Sequence, residues 1–333
     1  MLAMRLFQPA QAETAPLVIT HLPKPKPAAD QVCLKVFACG VCHTDLHIVE
    51  GDIHPPRLPV TPGHQIVGVI ASMGEKVSGF HVGDRVGVPW LYNTCKKCDF
   101  CRRGEENLCM KAHFTGFHKN GGFCEYMLAD ARYILPLPGK IGNEQAAPLL
   151  CAGIIGYRSL QKADLQPGER LGLVGFGASA HLAIQIGRYW GCETYVYTRS
   201  KKHQKHAEEL GATWVGNFDE KRQKPLDRAV IFAPAGDLVP HILERLRPGG
   251  TLAINAIHMS PIPEMEYHLI YGERTIRSVA NATYQDGVDL LQLAEKINIR
   301  SDVTLYPLEE ANRALLDLKQ SRINGEAVLI IHQ

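Results

Sequence analysis

Short apolar runs separated by glycine and proline occupy residues 1 to about 150 of the chain. The runs richest in Val and Ile are typical of short β-strands and lie at 32–36, 66–70 and 84–88. The spacing of apolar positions that marks an amphipathic helix is scarce in this region. The pattern therefore predicts a β-rich, barrel-like domain.

After Cys151 the pattern changes to apolar strands that alternate with helices. Strands are predicted at 170–174, 193–197, 228–232 and 251–255, and helices at 149–162, 178–189 and 201–210. Alternating strands and helices form a parallel sheet that carries helices on its faces. This half of the chain therefore predicts an α/β domain with a doubly wound parallel sheet.

The last segment predicts a helix at 287–297, a strand at 303–306, a helix at 308–320 and an apolar strand at 327–331. We expect this tail to return to the first domain, because a site with an open position needs walls from both segments. The predicted domains are therefore 1–152, with a small cysteine lobe at about 93–112, then 153–284, and finally 285–333.

Length and composition narrow the class of protein. A chain of 333 residues exceeds what one hydrophobic core usually supports, which favours two domains. An apolar content of 45% and a net charge of +2 are ordinary for a globular protein and argue against nucleic acid or a membrane surface as partner. No signal-peptide core follows Met1 and no apolar run is as long as a membrane span. We expect a cytoplasmic protein whose ten cysteines are metal ligands or buried thiols.

Four cysteines follow one another at close spacing: Cys95, Cys98, Cys101 and Cys109. Four thiolates so close in sequence make a tetrahedral site for which zinc is the usual occupant. Such a site has no open position for a substrate, so we expect it to stabilise the lobe rather than to react.

A glycine-rich turn, Gly175-Phe176-Gly177-Ala178-Ser179-Ala180, joins a predicted strand to a predicted helix. In that context Gly175 makes the turn, Gly177 lets the backbone approach a pyrophosphate, and the helix N-terminus, which includes Ala178, faces the phosphates. Ala180 replaces the third glycine, where only close packing of helix on strand is needed. The next strand ends in Thr198 and Arg199 instead of the acidic residue that binds the ribose of NAD. This favours NADP over NAD, the alternative being that Arg199 only faces solvent and NAD binds.

Cys42, His64 and Cys151 could supply a second metal site. Each residue alone is more often buried structure than ligand. Together they offer two thiolates and one imidazole, and a zinc site that takes part in catalysis keeps its fourth position open.

Taken together, these motifs resemble the zinc-dependent alcohol dehydrogenases of the medium-chain dehydrogenase/reductase family over essentially the whole chain. The shared motifs occur in the family's order: Cys42-x-Thr44-Asp45-x-His47, Pro62-Gly63-His64, the four-cysteine lobe, Cys151 and the Gly175 turn. The resemblance implies a GroES-like catalytic domain and a Rossmann domain. It also implies reversible hydride transfer between an alcohol and an aldehyde or ketone, with NAD(P) as coenzyme, and a homodimer or homotetramer.

The resemblance further implies residue roles. Cys42, His64 and Cys151 would bind a catalytic zinc, and the four lobe cysteines a structural zinc. Thr44 would share the proton of the substrate hydroxyl, and His47 would pass it to solvent. The other implied roles are His43 at the cofactor pyrophosphate, Asp45 as hydrogen-bond acceptor from His64, and Trp90 as a pocket wall that favours small or unbranched substrates.

Two positions depart from the family pattern. Most members carry Glu after His64, able to approach the zinc as a transient ligand, whereas this chain has Gln65. Many relatives carry an Arg for the cofactor phosphates where this chain has Tyr284. Gln65 puts a ligand-exchange step at the zinc in doubt, and Tyr284 is expected to weaken binding of the cofactor.

Two other functions fit parts of the sequence. A zinc-free enoyl or quinone reductase uses the same scaffold, but it lacks the ligands corresponding to Cys42, His64 and Cys151. A zinc-ribbon module that binds nucleic acid or protein would use the segment from Cys95 to Cys109, which carries four basic residues. The low net charge and the presence of only Phe100 as an aromatic in that segment argue against it.

Overall fold

The computed structural model describes residues 1–220 and 224–332, and they divide into two compact units. The first unit combines Met1–Cys151 with Asn281–Lys296 and the chain from Arg300 onward. The second combines Ala152–Ala280 with the short segment Ile297–Ile299. In the described part of the chain, none of the helices is long and apolar enough to cross a membrane.

The strands are β1 (Leu2–Leu6), β2 (Leu17–His21), β3 (Gln31–Val41), β4 (Gln65–Met73), β5 (Arg85–Val88), β6 (Leu91–Asn93), β7 (His113–Phe114), β8 (Tyr126–Asp130), β9 (Leu135–Pro136), β10 (Arg170–Val174), β11 (Glu193–Tyr197), β12 (Trp214–Gly216), β13 (Leu226–Ile231), β14 (Leu246–Ile254), β15 (Thr275–Ser278), β16 (Val303–Pro307) and β17 (Glu326–Ile330). The helices are α1 (His43–Glu50), α2 (Asp99–Arg102), α3 (Asn143–Ala146), α4 (Ala152–Lys162), α5 (Ala178–Tyr189), α6 (Lys201–Glu209), α7 (Leu238–Arg245), α8 (Tyr284–Ile297) and α9 (Ala311–Lys319).

The first unit is built around a sheet in the order β16-β17-β3-β4-β5-β9, with β8 also paired to β3. All of these pairs are antiparallel except β16 with β17. β3 lies between β17 and β4, and its apolar side chains are buried on both faces of the sheet. The C-terminal strand β17 therefore stands beside a strand from the first eighth of the chain, a long-range pairing that local sequence does not encode.

The second unit is built around a six-stranded parallel sheet in the order β12-β11-β10-β13-β14-β15. Numbered within the unit, this order is 3-2-1-4-5-6, which is the Rossmann order. Its central strands read as continuous apolar runs because helices cover both faces of such a sheet. The predicted doubly wound fold is confirmed.

Most predicted elements agree closely with the structure. The strands predicted at 170–174 and 193–197 and the helix predicted at 178–189 coincide with β10, β11 and α5. Two differences matter. Helix α1 was not predicted, and β14 begins five residues before the predicted strand, at Leu246, because the Pro248-Gly249-Gly250 turn is absorbed as an irregularity in the ladder.

Candidate functional site

The first candidate site forms where β3 ends and α1 begins. Cys42 is the N-cap residue of α1, and its Sγ accepts a hydrogen bond from the backbone N–H of Thr44 at 3.3 Å. Asp45 completes the cap by accepting a hydrogen bond from the Cys42 N–H at 3.1 Å. The start of a helix carries partial positive charge, which favours a thiolate. The local sequence therefore begins the helix and prepares Cys42 as a ligand at the same time.

Cys42, His64 and Cys151 come together although they are far apart in sequence. The Sγ of Cys42 lies 3.2 Å from Nε2 of His64, and one ligand atom from each of the three residues lies within 4.8 Å of the others. The hydrogen bond with Cys151, followed by burial, raises the pKa of the Cys42 thiol well above its usual range. Two thiols and an imidazole crowded in this way fit a divalent cation, which would hold both sulfurs as thiolates.

Asp45 orients the imidazole of His64. Both side chains are fully buried, and Nδ1 of His64 lies 3.1 Å from Oδ1 of Asp45. The same Oδ1 accepts a hydrogen bond from the Gly63 N–H at 2.9 Å, which fixes the carboxylate in place. A hydrogen bond from Nδ1–H to Asp45 leaves Nε2 as the free lone pair on the side of the two sulfurs.

The other polar residues of α1 face different surroundings. Thr44 is half-buried beside Cys42, and His43, the first residue of the helix, is exposed. His47 lies three residues after Thr44, so the two side chains share a face of the helix. Its Nδ1 lies 2.8 Å from Oδ2 of Asp52, and its side chain is 22% exposed. The helix therefore carries a threonine two residues after the candidate ligand Cys42 and an imidazole that is partly exposed to solvent.

Trp90 stands next to the imidazole of His64. The two rings meet edge to face with centroids 4.8 Å apart, and the indole also stacks on Phe114 at 5.0 Å. Its Nε1–H donates a hydrogen bond to Oδ1 of Asn281 at 3.2 Å. Asn281 has a φ of 55°, a left-handed conformation that Asn tolerates better than most residues. The indole is thus fixed from two sides as a wall beside the metal ligands.

The four lobe cysteines form the second cluster that could hold a metal. One ligand atom from each of the four lies within 4.8 Å of the others. The Sγ atoms of Cys98 and Cys101 are 3.5 Å apart, and Cys95 Sγ accepts a hydrogen bond from the Cys98 N–H at 3.4 Å. Backbone hydrogen bonds from Lys97 and Cys98 lower the pKa of Cys95 to about 6. This set fits a closed, four-coordinate zinc site.

The glycine-rich turn lies between β10 and α5. Gly175 has a φ of +82°, and a Cβ there would lie 2.9 Å from the backbone nitrogen of Ala233, so only glycine fits. Gly177 is the N-cap of α5, and a Cβ there would meet open space. Within the described residues, no side chain caps the first N–H groups of α5. The helix N-terminus is therefore free to bind the phosphates of a dinucleotide.

Thr198 and Arg199 follow β11, the strand next to β10. The N–H of Thr198 donates to the carbonyl of Gly216, and its own carbonyl accepts from the side chain of Gln204. These bonds fix the backbone at the end of β11, whereas Arg199 is exposed. The guanidinium is therefore available for a phosphate group.

The four cysteines outside the two clusters are buried thiols, as the sequence predicts. Cys33, Cys39, Cys124 and Cys192 are buried and unpaired by disulfides. Burial raises the pKa of Cys124 to about 12, so this thiol stays protonated and unreactive.

Three contacts were not predicted from the sequence. They are the bonds of His47 to Asp52, of Trp90 to Asn281 and of Gln65 to Glu326. Asp52 could have been found, because it stands one residue beyond the Gly51 that ends α1. The partners of Trp90 and Gln65 lie 191 and 261 residues away in sequence and carry no local signal.

Two family models match successive parts of the chain. The alcohol dehydrogenase GroES-like domain matches residues 28–139. The zinc-binding dehydrogenase domain matches residues 180–296.

Curated relatives match almost the whole chain. A probable alcohol dehydrogenase AdhA from Mycobacterium tuberculosis is 43% identical over 99% of this chain and 97% of its own. An alcohol dehydrogenase from Geobacillus stearothermophilus is 33% identical over 94% of this chain and 96% of its own. The solved alcohol dehydrogenase from Aeropyrum pernix is 30% identical with a TM-score of 0.88, covering 99% of this chain and 100% of that one. The chain therefore belongs to the zinc-binding alcohol dehydrogenases of the medium-chain dehydrogenase/reductase family, oxidoreductases that use NAD(P).

Proposed function

We propose that Cys42, His64 and Cys151 form the site at which this alcohol dehydrogenase reacts. The observation that carries the proposal is the convergence of their three ligand atoms within 4.8 Å, with Asp45 holding the imidazole from behind. Three protein ligands leave one position of a tetrahedral metal for the substrate oxygen. Zinc held by these residues supplies a Lewis acid at that oxygen.

The residues of α1 handle the proton. The Thr44 hydroxyl accepts the proton of the substrate hydroxyl and gives up its own along the relay; the role is supported by the position of Thr44 on α1, where its backbone N–H donates to Cys42 Sγ. His47 lies on the same face of the helix and delivers the proton to solvent, because its ring is partly exposed and hydrogen-bonded to Asp52. Asp45 takes no part in the transfer and keeps His64 in one tautomer.

The cofactor site uses the glycine-rich turn of the second unit. Gly175, Gly177 and Ala178 bind the pyrophosphate of NAD(P) at the start of α5. Bound NAD(P) supplies the hydride acceptor in oxidation and the donor in reduction. Thr198 and Arg199 bind the adenosine ribose, and the guanidinium favours NADP.

Trp90 restricts the substrate. The indole is held by Phe114 and Asn281, so it cannot swing aside easily to admit a branched substrate. We therefore propose small or unbranched alcohols and aldehydes as substrates. We also propose that the protein acts as a homodimer or homotetramer.

Metal analysis with a substrate panel tests the proposal. We expect two zinc ions per chain, one for each cluster of ligands, and oxidation of short primary alcohols faster than of branched ones. A zinc-free reductase on this scaffold would hold at most the zinc of the four cysteines. One zinc per chain together with reduction of quinones or enoyl substrates would contradict the proposed site.

The coenzyme preference gives a second prediction. Changing Arg199 to Ala is expected to raise KM for NADP roughly 10- to 100-fold, because one charge-assisted bond to phosphate contributes about 1.5–3 kcal/mol. KM for NAD should change less than about 2-fold, since NAD carries no phosphate at this position. Initial rates at varied coenzyme concentration provide the measurement.

Lys205→Ala is the matched control for Arg199→Ala, since Lys205 is an exposed cation on α6 that forms an ion pair with Glu209. This variant should keep both KM values. A wild-type enzyme that clearly prefers NAD would contradict the phosphate role of Arg199.

A further inference from the structure

A buried pair of polar side chains lies behind the metal ligands and has no part in the mechanism above. Gln65 and Glu326 are 0% and 1% exposed. Nε2 of Gln65 donates a hydrogen bond to Oε1 of Glu326 at 2.7 Å. An amide and an acid are costly groups to bury, so their presence in the centre of the sheet calls for a function.

The bond between these side chains crosses a strand. Gln65 begins β4 and Glu326 begins β17, and β3 runs between those two strands. On β3, Gly40 is paired with Gln65 on one side and with Val328 of β17 on the other. A Cβ on Gly40 would lie 2.8 Å from both Cδ and Nε2 of Gln65. The missing side chain of Gly40 is thus what lets Gln65 cross β3 and reach Glu326.

Two of these three strands, β3 and β4, lie next to two of the three proposed metal ligands. Cys42 follows the last residue of β3, and His64 immediately precedes the first residue of β4. The 3.2 Å distance between Cys42 Sγ and His64 Nε2 therefore depends on how the ends of β3 and β4 lie against each other. The hydrogen bond from Gln65 to Glu326 connects the start of β4, next to His64, with the start of β17.

Each side chain of the pair also has one oxygen that accepts no hydrogen bond from the described residues. Oε1 of Gln65 and Oε2 of Glu326 are buried, and neither has a hydrogen-bond partner within residues 1–220 and 224–332. A pair of apolar side chains would avoid both unpaired oxygens. Retention of a polar bridge that destabilises the fold is expected where the bridge fixes a functional geometry.

We propose that Gln65 and Glu326 are a positioning pair that holds His64 and Cys42 at the spacing needed to retain the metal. The inference rests on the proposed role of Cys42, His64 and Cys151 as one site. The pair contacts neither substrate nor cofactor. It acts through the start of β4 on the backbone of His64.

The test measures how fast zinc leaves each site when a chromogenic chelator is added to the purified holoenzyme. In Glu326→Leu, which removes the acceptor, zinc bound by Cys42, His64 and Cys151 is expected to leave at least about 10-fold faster, the equivalent of one lost hydrogen bond of about 1.4 kcal/mol. Glu326→Gln keeps an acceptor for Gln65 and is expected to stay within about 3-fold of the wild type. The zinc of the four cysteines should leave at an unchanged rate in both variants.

Gly40→Ala disrupts the same bridge from the other side and should reproduce the fast release, since a Cβ there displaces the Gln65 side chain. Leu329→Ala is the matched control: Leu329 is a buried residue of β17 that opposes Cys39, so its loss loosens the strand without touching the bridge. Melting temperatures of all variants are measured alongside.

Wild-type retention of zinc in Glu326→Leu would overturn the inference. So would equally fast release from Leu329→Ala at the same melting temperature, which would assign the effect to general stability. A Cys42→Ala variant separates this failure from failure of the proposed site. If Cys42→Ala loses one zinc while Glu326→Leu keeps both, the site stands and the positioning pair does not.

Discussion

Replacing Cys42 with alanine is expected to lower kcat/KM for alcohol oxidation on the order of 1000-fold, because a metal Lewis acid contributes several kcal/mol and each 1.36 kcal/mol is tenfold in rate. Removal of one sulfur leaves His64 and Cys151 as a two-residue site, which retains a divalent cation poorly. The zinc content should fall from two ions per chain to one. Coenzyme binding should survive, since the phosphate site proposed at the start of α5 belongs to the other unit.

Three measurements on Cys42→Ala check this expectation. Initial rates with a short primary alcohol give kcat/KM, metal analysis gives the zinc content, and fluorescence titration with reduced coenzyme gives its Kd. Cys33→Ala is the matched control because Cys33 is a buried thiol of β3, the strand that Cys42 follows, and belongs to neither cluster. It should keep both zinc ions and kcat/KM within about 2-fold, since a small buried thiol acts as an apolar side chain. Ordinary alcohol oxidation by Cys42→Ala would show that the site is assigned to the wrong residues.

The sequence was most informative where short-range physics decides the structure. β10, β11 and α5 coincide with the predicted ranges because each is a single apolar or amphipathic run bounded by Gly or Pro. The Gly175 turn could be recognised because Gly175 has a φ of +82°, a local backbone requirement that favours glycine. The four-cysteine cluster was predicted from spacing, and the set of Cys42, His64 and Cys151 from residue type together with the family resemblance; the structure brings the atoms of each set within 4.8 Å of one another.

The sequence was least informative where distant segments meet. Helix α1 is short and begins at the capping contacts of Cys42 and Asp45. In the sequence these two residues indicate a metal site and give no signal of a helix start. The place of β17 beside β3 follows from packing of the whole sheet, and so the partner of Gln65 could not be named. A polar residue in an apolar strand, as Glu326 is at the start of β17, is the signal that could have drawn attention to it.

The second large expected effect is a loss of stability when the four-cysteine lobe can no longer bind zinc. The lobe has little apolar core of its own, since no residue of α2 is buried and Met110 is 92% exposed. Its fold therefore depends on the metal, whose binding energy becomes folding energy. Cys98→Ser is expected to remove this zinc and to lower the Tm by about 5–10 °C, since losing a thiolate weakens zinc by several kcal/mol and 1 kcal/mol shifts Tm by about 2–4 °C in a domain of this size.

Cys98→Ser should nevertheless keep kcat, measured per folded chain, within about 3-fold, because the closed site leaves no position for substrate. Calorimetry, metal analysis and initial rates on the same sample separate the two effects. Lys97→Ala is the control in the same turn, since Lys97 is exposed and its side chain is no ligand, and it should keep the zinc and the Tm. If Cys98→Ser instead loses kcat at an unchanged Tm, the lobe takes part in the chemistry. Loss of Tm with kcat retained would assign the four cysteines to the stability of the first unit rather than to the reaction.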